Sequence, residues 1–197
     1  MTTIATSIHR RLMREEEPEW IVWALVIVLL VAGLLVKNAV QGRTESFSAD
    51  GVSLSYPATW TRLTGPDQLL FAGDPFSSAQ APTGVIVRQM PLAEMGRNLS
   101  SLSDLALAWT TRQGRELQAF RSLSVEPTTV NGQEAVMVEY AYVPQGGAGR
   151  APAVARARDY LLRQGDALTI ITLAADANAF EAENNTWQAI LATVSVR

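Results

Sequence analysis

The sequence contains no cysteine, and it contains only one histidine and one lysine. Without cysteine, disulfide bonds, thiolate nucleophiles and thiolate metal sites are excluded. The histidine is His9 and the lysine is Lys37, so neither belongs to the long C-terminal part of the chain. That part cannot build a Ser-His-Asp, Cys-His or Ser-Lys catalytic group, nor a zinc site of histidine or cysteine ligands. We therefore expect no enzyme activity, no metal and no cofactor.

An excess of positive charge is also missing. The formal net charge is −3, and the basic residues do not form a global positive field. Such a field is the electrostatic signature of proteins that bind nucleic acid. Nucleic acid is therefore not an expected partner.

Carboxylates are the groups that remain for chemistry. The candidates are Glu134, Glu139, Asp159 and Asp166. A pair of carboxylates could serve a glycosidase, which is a distant alternative. These four residues, however, occupy ordinary turn and strand positions with no spacing that brings them together, so a structural role is favoured for each.

One long hydrophobic run is present. From Trp20 to Val36 the chain reads WIVWALVIVLLVAGLLV without a charge, and extension to Val40 gives a helix long enough for a bilayer. Trp20 and Trp23 at one end and Lys37 at the other are the expected membrane-interface anchors. A cleaved signal peptide and a buried core helix are the alternatives that this pattern disfavours, since no A-x-A site follows and no polar face exists.

The basic residues flanking this run predict its orientation. Arg10, Arg11 and Arg14 precede it, whereas Lys37 and Arg43 follow it. The side richer in arginine and lysine stays in the cytoplasm. We expect a cytoplasmic tail (1–19), a transmembrane signal anchor (20–40), a linker (41–46) and an extracytoplasmic domain (47–197).

Turn signals and alternating apolar residues predict strands in that domain. Asp50-Gly51 and Asn131-Gly132 each stand between extended runs, which is typical of type I′ hairpins. The strand AVMVEYAYV after the second turn, like ALTIITLAA further on, is apolar on both faces, which predicts a sheet covered on both sides.

Two helices complete the prediction. One covers about 103–118 after a capping box of Ser101 and Asp104, and the other covers about 176–193 with Asp176 as its N-cap. Leu117 and Phe120 are assigned to the apolar stripe of the first helix. Trp109 and Trp187 are expected at the contacts between helices and sheet. Strands and helices joined by hairpins rather than crossovers indicate an α+β fold.

Three segments together resemble the PsbP-like superfamily: DGVSLSYPATW, TTVNGQEAVMVEYAYV and DYLLRQGDALTIITLAADANAFEAENNTWQAILATVSV. The resemblance covers about residues 47–196 and rests on the order of elements. It implies an α/β/α sandwich with a central antiparallel sheet and helices on both faces. It also implies a small non-enzymatic domain that docks on membrane complexes or helps to assemble them.

The function predicted from the sequence is a single-pass, non-catalytic accessory or assembly subunit of a membrane protein complex. Electron-transfer and photosynthetic complexes are the types that the resemblance suggests, in an inner or photosynthetic membrane with the domain periplasmic, extracellular or lumenal. The alternative is an anchored module that binds a small ligand or an envelope component, which requires a deep pocket. Arg150, Arg156 and Arg158 are weak candidates for contact with an acidic partner, and a solvated sheet edge is the favoured interpretation of them.

Overall fold

The computed structural model describes residues 19–65, 67–96, 99, 101–145 and 152–197. The chain divides into two compact units, Met1–Val40 and Gln41–Arg197. Helix α1 (Glu19–Gln41) accounts for the described part of the first unit. The second unit carries every strand of the described structure.

The described side chains of α1 run from Trp20 to Leu35, and all of them are exposed. Trp20 is 69% exposed and Trp23 is 66% exposed. Lys37 is part of α1, but its side chain lies outside the described residues. Within the described residues, no helix is both long enough and apolar enough to cross a membrane. The described side chains stop before the end of the predicted span at Val40, so the span stays a prediction.

The chain after α1 forms a small antiparallel sheet. It consists of β1 (Thr44–Ala49), β2 (Val52–Pro57) and β10 (Ser195–Val196), in the order β1-β2-β10. Asp50 and Gly51 join β1 to β2 with φ angles of 49° and 77°. Two consecutive positive φ angles define the type I′ turn, so the predicted hairpin is confirmed. β1 begins inside the segment that was predicted to be a linker.

A second, larger sheet contains the remaining strands, which are β3 (Thr61–Leu63), β4 (Leu70–Gly73), β5 (Gly84–Pro91), β6 (Gln118–Val130), β7 (Gln133–Val143), β8 (Ala155–Gln164) and β9 (Ala167–Asp176). Their order is β3-β4-β5-β9-β8-β7-β6, and all neighbours are antiparallel. Asn131 and Gly132, with φ angles of 46° and 80°, form the predicted turn between β6 and β7.

Two helices precede β6. A short helix, α2 (Leu92–Met95), follows β5, and α3 (Leu102–Glu116) comes next. The predicted capping box is present, because the Ser101 hydroxyl accepts the Asp104 N–H at 3.0 Å and the Asp104 carboxylate accepts the Ser101 N–H at 3.3 Å. The helix ends before the predicted boundary because Leu117 is already extended. The assignment of Phe120 to the helix stripe was wrong, since Phe120 lies in β6.

The C-terminal helix starts later than the sequence predicted. A 3-10 helix (Phe180–Glu183) leads into α4 (Asn184–Leu191). Asp176 does not cap it, because Asp176 ends β9 and its Oδ1 accepts the N–H of Asn178 at 2.9 Å. This local side-chain bond holds a turn and competes with helix formation at that point.

The large sheet is covered on both faces, as predicted. On one face, called the α3 face, α3 packs over β6, β7 and β8, with Trp109 buried at the contact. On the opposite face, α4 and the small sheet share one hydrophobic core with the large sheet, and Trp187 is buried there against Trp60. The structure therefore adds a second sheet to the predicted sandwich. The fold is α+β with antiparallel sheets.

Candidate functional site

A fully buried carboxyl group lies between α3 and the large sheet. Asp159 belongs to β8, where side chains alternate between the two faces, and it shares the α3 face with Ala157 and Leu161. Its Oδ2 accepts the Nε1–H of Trp109 at 2.5 Å, and its Oδ1 accepts the hydroxyl of Tyr140 at 3.2 Å. Both carboxyl oxygens are therefore satisfied inside the core.

Burial governs the protonation of this group. Loss of solvent raises the pKa of Asp159, while the hydrogen bonds that it accepts and the charge of Arg88 oppose the rise. Burial, reinforced by the neighbouring Asp159, also raises the pKa of Tyr140 well above its ordinary value. The Tyr140 hydroxyl therefore keeps the proton that it donates. The pair stabilises the contact between β7, β8 and α3.

An open groove of about 660 Å³ lies beside this core, between α3 and β5. It exists because α3 covers β6, β7 and β8 and leaves the β5 side of the same face to the short helix α2 and the segment before β4. We call it the Arg88 groove. Its lining includes Arg88, Met90, Trp109, Arg112, Gln113 and Leu117.

Arg88 is the charged residue of β5. Val85 and Val87 point to the core on the opposite face, and side chains alternate along a strand, so Arg88 points to the α3 face. Its side chain is half-buried and interacts with Asp159 through space. Within the described part of the chain, the Arg88 side chain forms no hydrogen bond and no ion pair. Its guanidinium donors are thus available to the groove.

Gln113 is the second polar group of the groove. It lies one helical turn after Trp109 on α3 and is only 5% exposed. Its side-chain amide forms no hydrogen bond with the described residues and keeps some contact with solvent. Arg112, by contrast, is bound to Glu116 at 2.7 Å.

A balanced set of charges occupies the opposite face of the sheet. We call it the Glu139 cluster, and it comprises Glu139, Arg156, Arg158, Glu181 and Asn184 around the ring of Phe180.

Glu139 is the centre of this cluster. It is 6% exposed, and it accepts the Nε–H of Arg156 at 2.6 Å and the Nε–H of Arg158 at 2.7 Å. Arg156 also forms an ion pair with Glu181, with 2.7 Å between its Nη1 and the Glu181 Oε1. The guanidinium groups of Arg156 and Arg158 each lie about 5 Å from the centre of the Phe180 ring. The cluster fastens the 3-10 helix to β7 and β8.

The candidate carboxylates from the sequence do not form one site. In the register of β7 and β8, Arg158 lies opposite Glu139, and residues that lie opposite each other share a face. Asp159 is the next residue after Arg158, so its side chain points to the other face from Glu139. Glu134 and Asp166 are exposed, on β7 and in the turn before β9. The described residues contain no group of three or more His, Asp or Glu side chains that could hold a metal ion.

The candidate partner-contact arginines have different positions. Arg156 and Arg158 share one face of β8 and are engaged within the Glu139 cluster. The solvated sheet edge favoured for them was wrong, because β8 lies between β7 and β9. Arg150 lies outside the described residues. Their contact with an acidic partner stays a prediction. The Arg88 groove was missed, although a single charge on the apolar alternation of Ile86, Arg88 and Met90 was a usable signal.

Comparison with known proteins places the fold. No family model and no curated protein sequence matches the chain. Among solved structures, cyanobacterial PsbP (CyanoP) from Synechocystis sp. PCC 6803 is similar, with 15% identity, a TM-score of 0.52, and coverage of 78% of this chain and 92% of that chain.

Two other solved structures have comparable likeness. The Ran-binding protein Mog1p from Saccharomyces cerevisiae has 10% identity and a TM-score of 0.55, over 78% of this chain and 95% of that chain. LpqN from Mycobacterium tuberculosis, which is involved in cell envelope biogenesis, has 11% identity and a TM-score of 0.50, over 78% and 90% of the chains. At these identities the likeness concerns the fold. The chain has a PsbP-like fold, which confirms the resemblance found in the sequence.

Proposed function

We propose that the protein is a non-catalytic accessory module, held at a membrane by α1 as a subunit of a membrane protein complex. The observation that carries the proposal is the unbroken exposure of apolar side chains on α1 from Trp20 to Leu35. A helix that is apolar all round has no face suited to water, and bilayer hydrocarbon accommodates it. The predicted span (20–40) extends beyond the described side chains, and a helix over that whole range would reach across a hydrocarbon thickness of about 30 Å.

The direction of insertion follows from the flanking charges. Arg10, Arg11 and Arg14 lie before the apolar run, and Lys37 and Arg43 lie after it. With the arginine-rich end in the cytoplasm, the domain from Phe47 onward faces the other side of an inner or photosynthetic membrane.

A non-catalytic role is supported by the side chains that the domain lacks and by the bonds that its buried carboxylates form. The domain from Phe47 onward has no histidine, lysine or cysteine. Asp159 is sealed in the core with both oxygens bonded, and Glu139 is neutralised by two arginines. Neither carboxylate is open to a substrate.

The similar structures support only the general class. One is a PsbP, one is a Ran-binding protein and one is involved in cell envelope biogenesis. A fold shared by such different proteins does not by itself specify a function. An accessory role at the envelope is the proposal that agrees with both this fold and the apolar helix.

The proposal is tested by isolating the protein with its neighbours. The tagged full chain is extracted in a mild detergent, separated by size-exclusion chromatography, and analysed by mass spectrometry. We expect co-elution with defined membrane proteins at a mass above that of the single chain. A matched variant with α1 replaced by an unrelated spanning helix should keep these partners if the domain makes the contact. A single chain without partners in both samples would contradict the subunit role.

A further inference from the structure

The Arg88 groove combines an unpaired cation with an unpaired amide. An arginine in a partly desolvated position normally finds a carboxylate or another acceptor, because burying its donors without partners is costly. Arg88 has neither a hydrogen bond nor an ion pair among the described residues, and Asp159 already accepts from Trp109 and Tyr140. A hydrogen-bond acceptor on a bound ligand would satisfy the N–H donors of Arg88.

Gln113 presents a second hydrogen-bond donor on the other wall of the groove. Its side chain is more than nine-tenths buried, lines the groove, and has no partner among the described residues. Trp109, one turn earlier, is fixed by its bond to Asp159. This bond anchors the wall that carries Gln113 to the large sheet, which suits the largely preformed character of small-molecule sites.

The other charges of the lining restrict the ligand. Asp67, Glu94 and Glu116 carry three negative charges against the two positive charges of Arg88 and Arg112. Arg112 is already paired with Glu116, so Arg88 is the lining cation that remains for a ligand. A single carboxylate matches it as a two-pronged partner, whereas the second charge of a dianion such as phosphate would meet no further cation. Apolar side chains, among them Leu69, Met90 and Leu117, are available for an apolar body.

We propose that the Arg88 groove binds a small organic monocarboxylate, with Arg88 and Gln113 donating to the carboxylate and the apolar wall holding the rest of the molecule. The groove volume of about 660 Å³ is in the range of small-molecule sites. The proposal concerns the domain alone and does not depend on the membrane tether. A free carboxylic acid and the carboxyl terminus of a peptide present the same chemical group.

The test is a ligand-observed NMR titration of the detergent-solubilised full chain. The probes are hexanoate, hexanamide, inorganic phosphate, and the dipeptide acetyl-Ala-Leu with either a carboxylate or an amide terminus. We expect saturable binding of a carboxylate probe and none of its amide or of phosphate. Binding by hexanoate indicates a free acid, and binding by the dipeptide alone indicates a peptide terminus.

Variants connect the binding to the groove. Arg88→Met and Gln113→Leu should each weaken carboxylate binding by about tenfold or more, because each removes a donor to a charged acceptor. Arg62→Met is the matched control, since Arg62 lies over Phe47 outside the groove, and it should bind as the unmodified chain does. If Arg88→Met fails to fold by circular dichroism, Gln113→Leu decides. No saturable carboxylate binding, or binding unchanged in the folded groove variants, overturns the proposal.

Discussion

At the residue scale, Asp159 shows how one buried carboxyl group makes stability depend on pH. Burial raises its pKa in the folded state above the value in the unfolded chain. Between the two values, the folded protein holds a proton that the unfolded chain has released. A rise in pH therefore favours unfolding, and the stability lost to this group grows until pH passes the folded pKa.

Asp159→Asn should remove the pH dependence of stability that the buried carboxyl group imposes. Asparagine keeps an acceptor for Trp109 and cannot ionise, so the penalty of a buried charge disappears. Relative to the unmodified chain, the variant should gain free energy of unfolding as pH rises from about 4 to about 8. Urea denaturation of the solubilised chain across this range measures the difference.

Asp159→Ala is the matched comparison for that variant. It leaves the indole N–H of Trp109 and the hydroxyl of Tyr140 buried without an acceptor, which costs about 1–3 kcal/mol for each. Alanine also cannot ionise, so the free energy of unfolding of this variant relative to the unmodified chain should rise with pH in the same way, but it should stay below that of the asparagine variant at every pH. The account would be contradicted if the free energies of unfolding of Asp159→Asn and the unmodified chain differed by the same amount at every pH.

The sequence indicated the two buried tryptophans but not the partner of Trp109. An indole ring in an apolar stripe predicts burial, and both Trp109 and Trp187 are buried. Asp159 was assigned an ordinary strand role because a single acidic residue in ARARDYLLR carries no sign of the face it occupies. The face of the sheet that Asp159 occupies is determined by the register of β7 and β8.

At the scale of elements, the Glu139 cluster joins the C-terminal helical segment to the large sheet. Glu181 is exposed, and hydrogen bonding by Asn184 together with the charges of Arg156 and Arg158 lowers its pKa. Glu139 is the buried partner of both arginines. Removal of the buried carboxylate should therefore affect stability more than removal of the exposed one.

Glu139→Gln should destabilise the protein more than Glu181→Gln does. Loss of one partner of a buried ion pair costs about 3–5 kcal/mol, and the partial exposure of Arg156 and Arg158 places the expected loss for Glu139→Gln near the lower end. Amide exchange in the 3-10 helix and α4 should also become faster. Glu181→Gln is the control and should cost less. Equal losses for the two variants would mean that Glu139 does not anchor the segment.

Local turn chemistry made several elements predictable. Asp50-Gly51 and Asn131-Gly132 form the expected hairpins because asparagine, aspartate and glycine tolerate positive φ. The helix after β9 was placed too early because the Asp176 side chain bonds to the second residue after it and forms a turn. Helix propensity alone does not reveal such competition.

At the scale of the whole molecule, the α+β class and the covering of the large sheet on both faces followed from the sequence. The division into two sheets did not, because alternation of apolar residues fixes which side of a strand is buried but not which strand pairs with which. The Arg88 groove was missed for a similar reason. Arg88 and Gln113 belong to β5 and α3, and only the packing of α3 over the far side of the sheet brings both to one groove.

We propose that α1 tethers an accessory domain to a membrane, and alkaline carbonate extraction of isolated membranes tests this tether. The full chain should stay in the membrane pellet. The double variant Leu29→Arg and Leu30→Arg should move to the supernatant, because each arginine at the helix centre costs about 2.5–3.5 kcal/mol of insertion free energy. The matched variant Leu29→Ala and Leu30→Ala should remain in the pellet. Release of the unmodified chain into the supernatant would contradict the account.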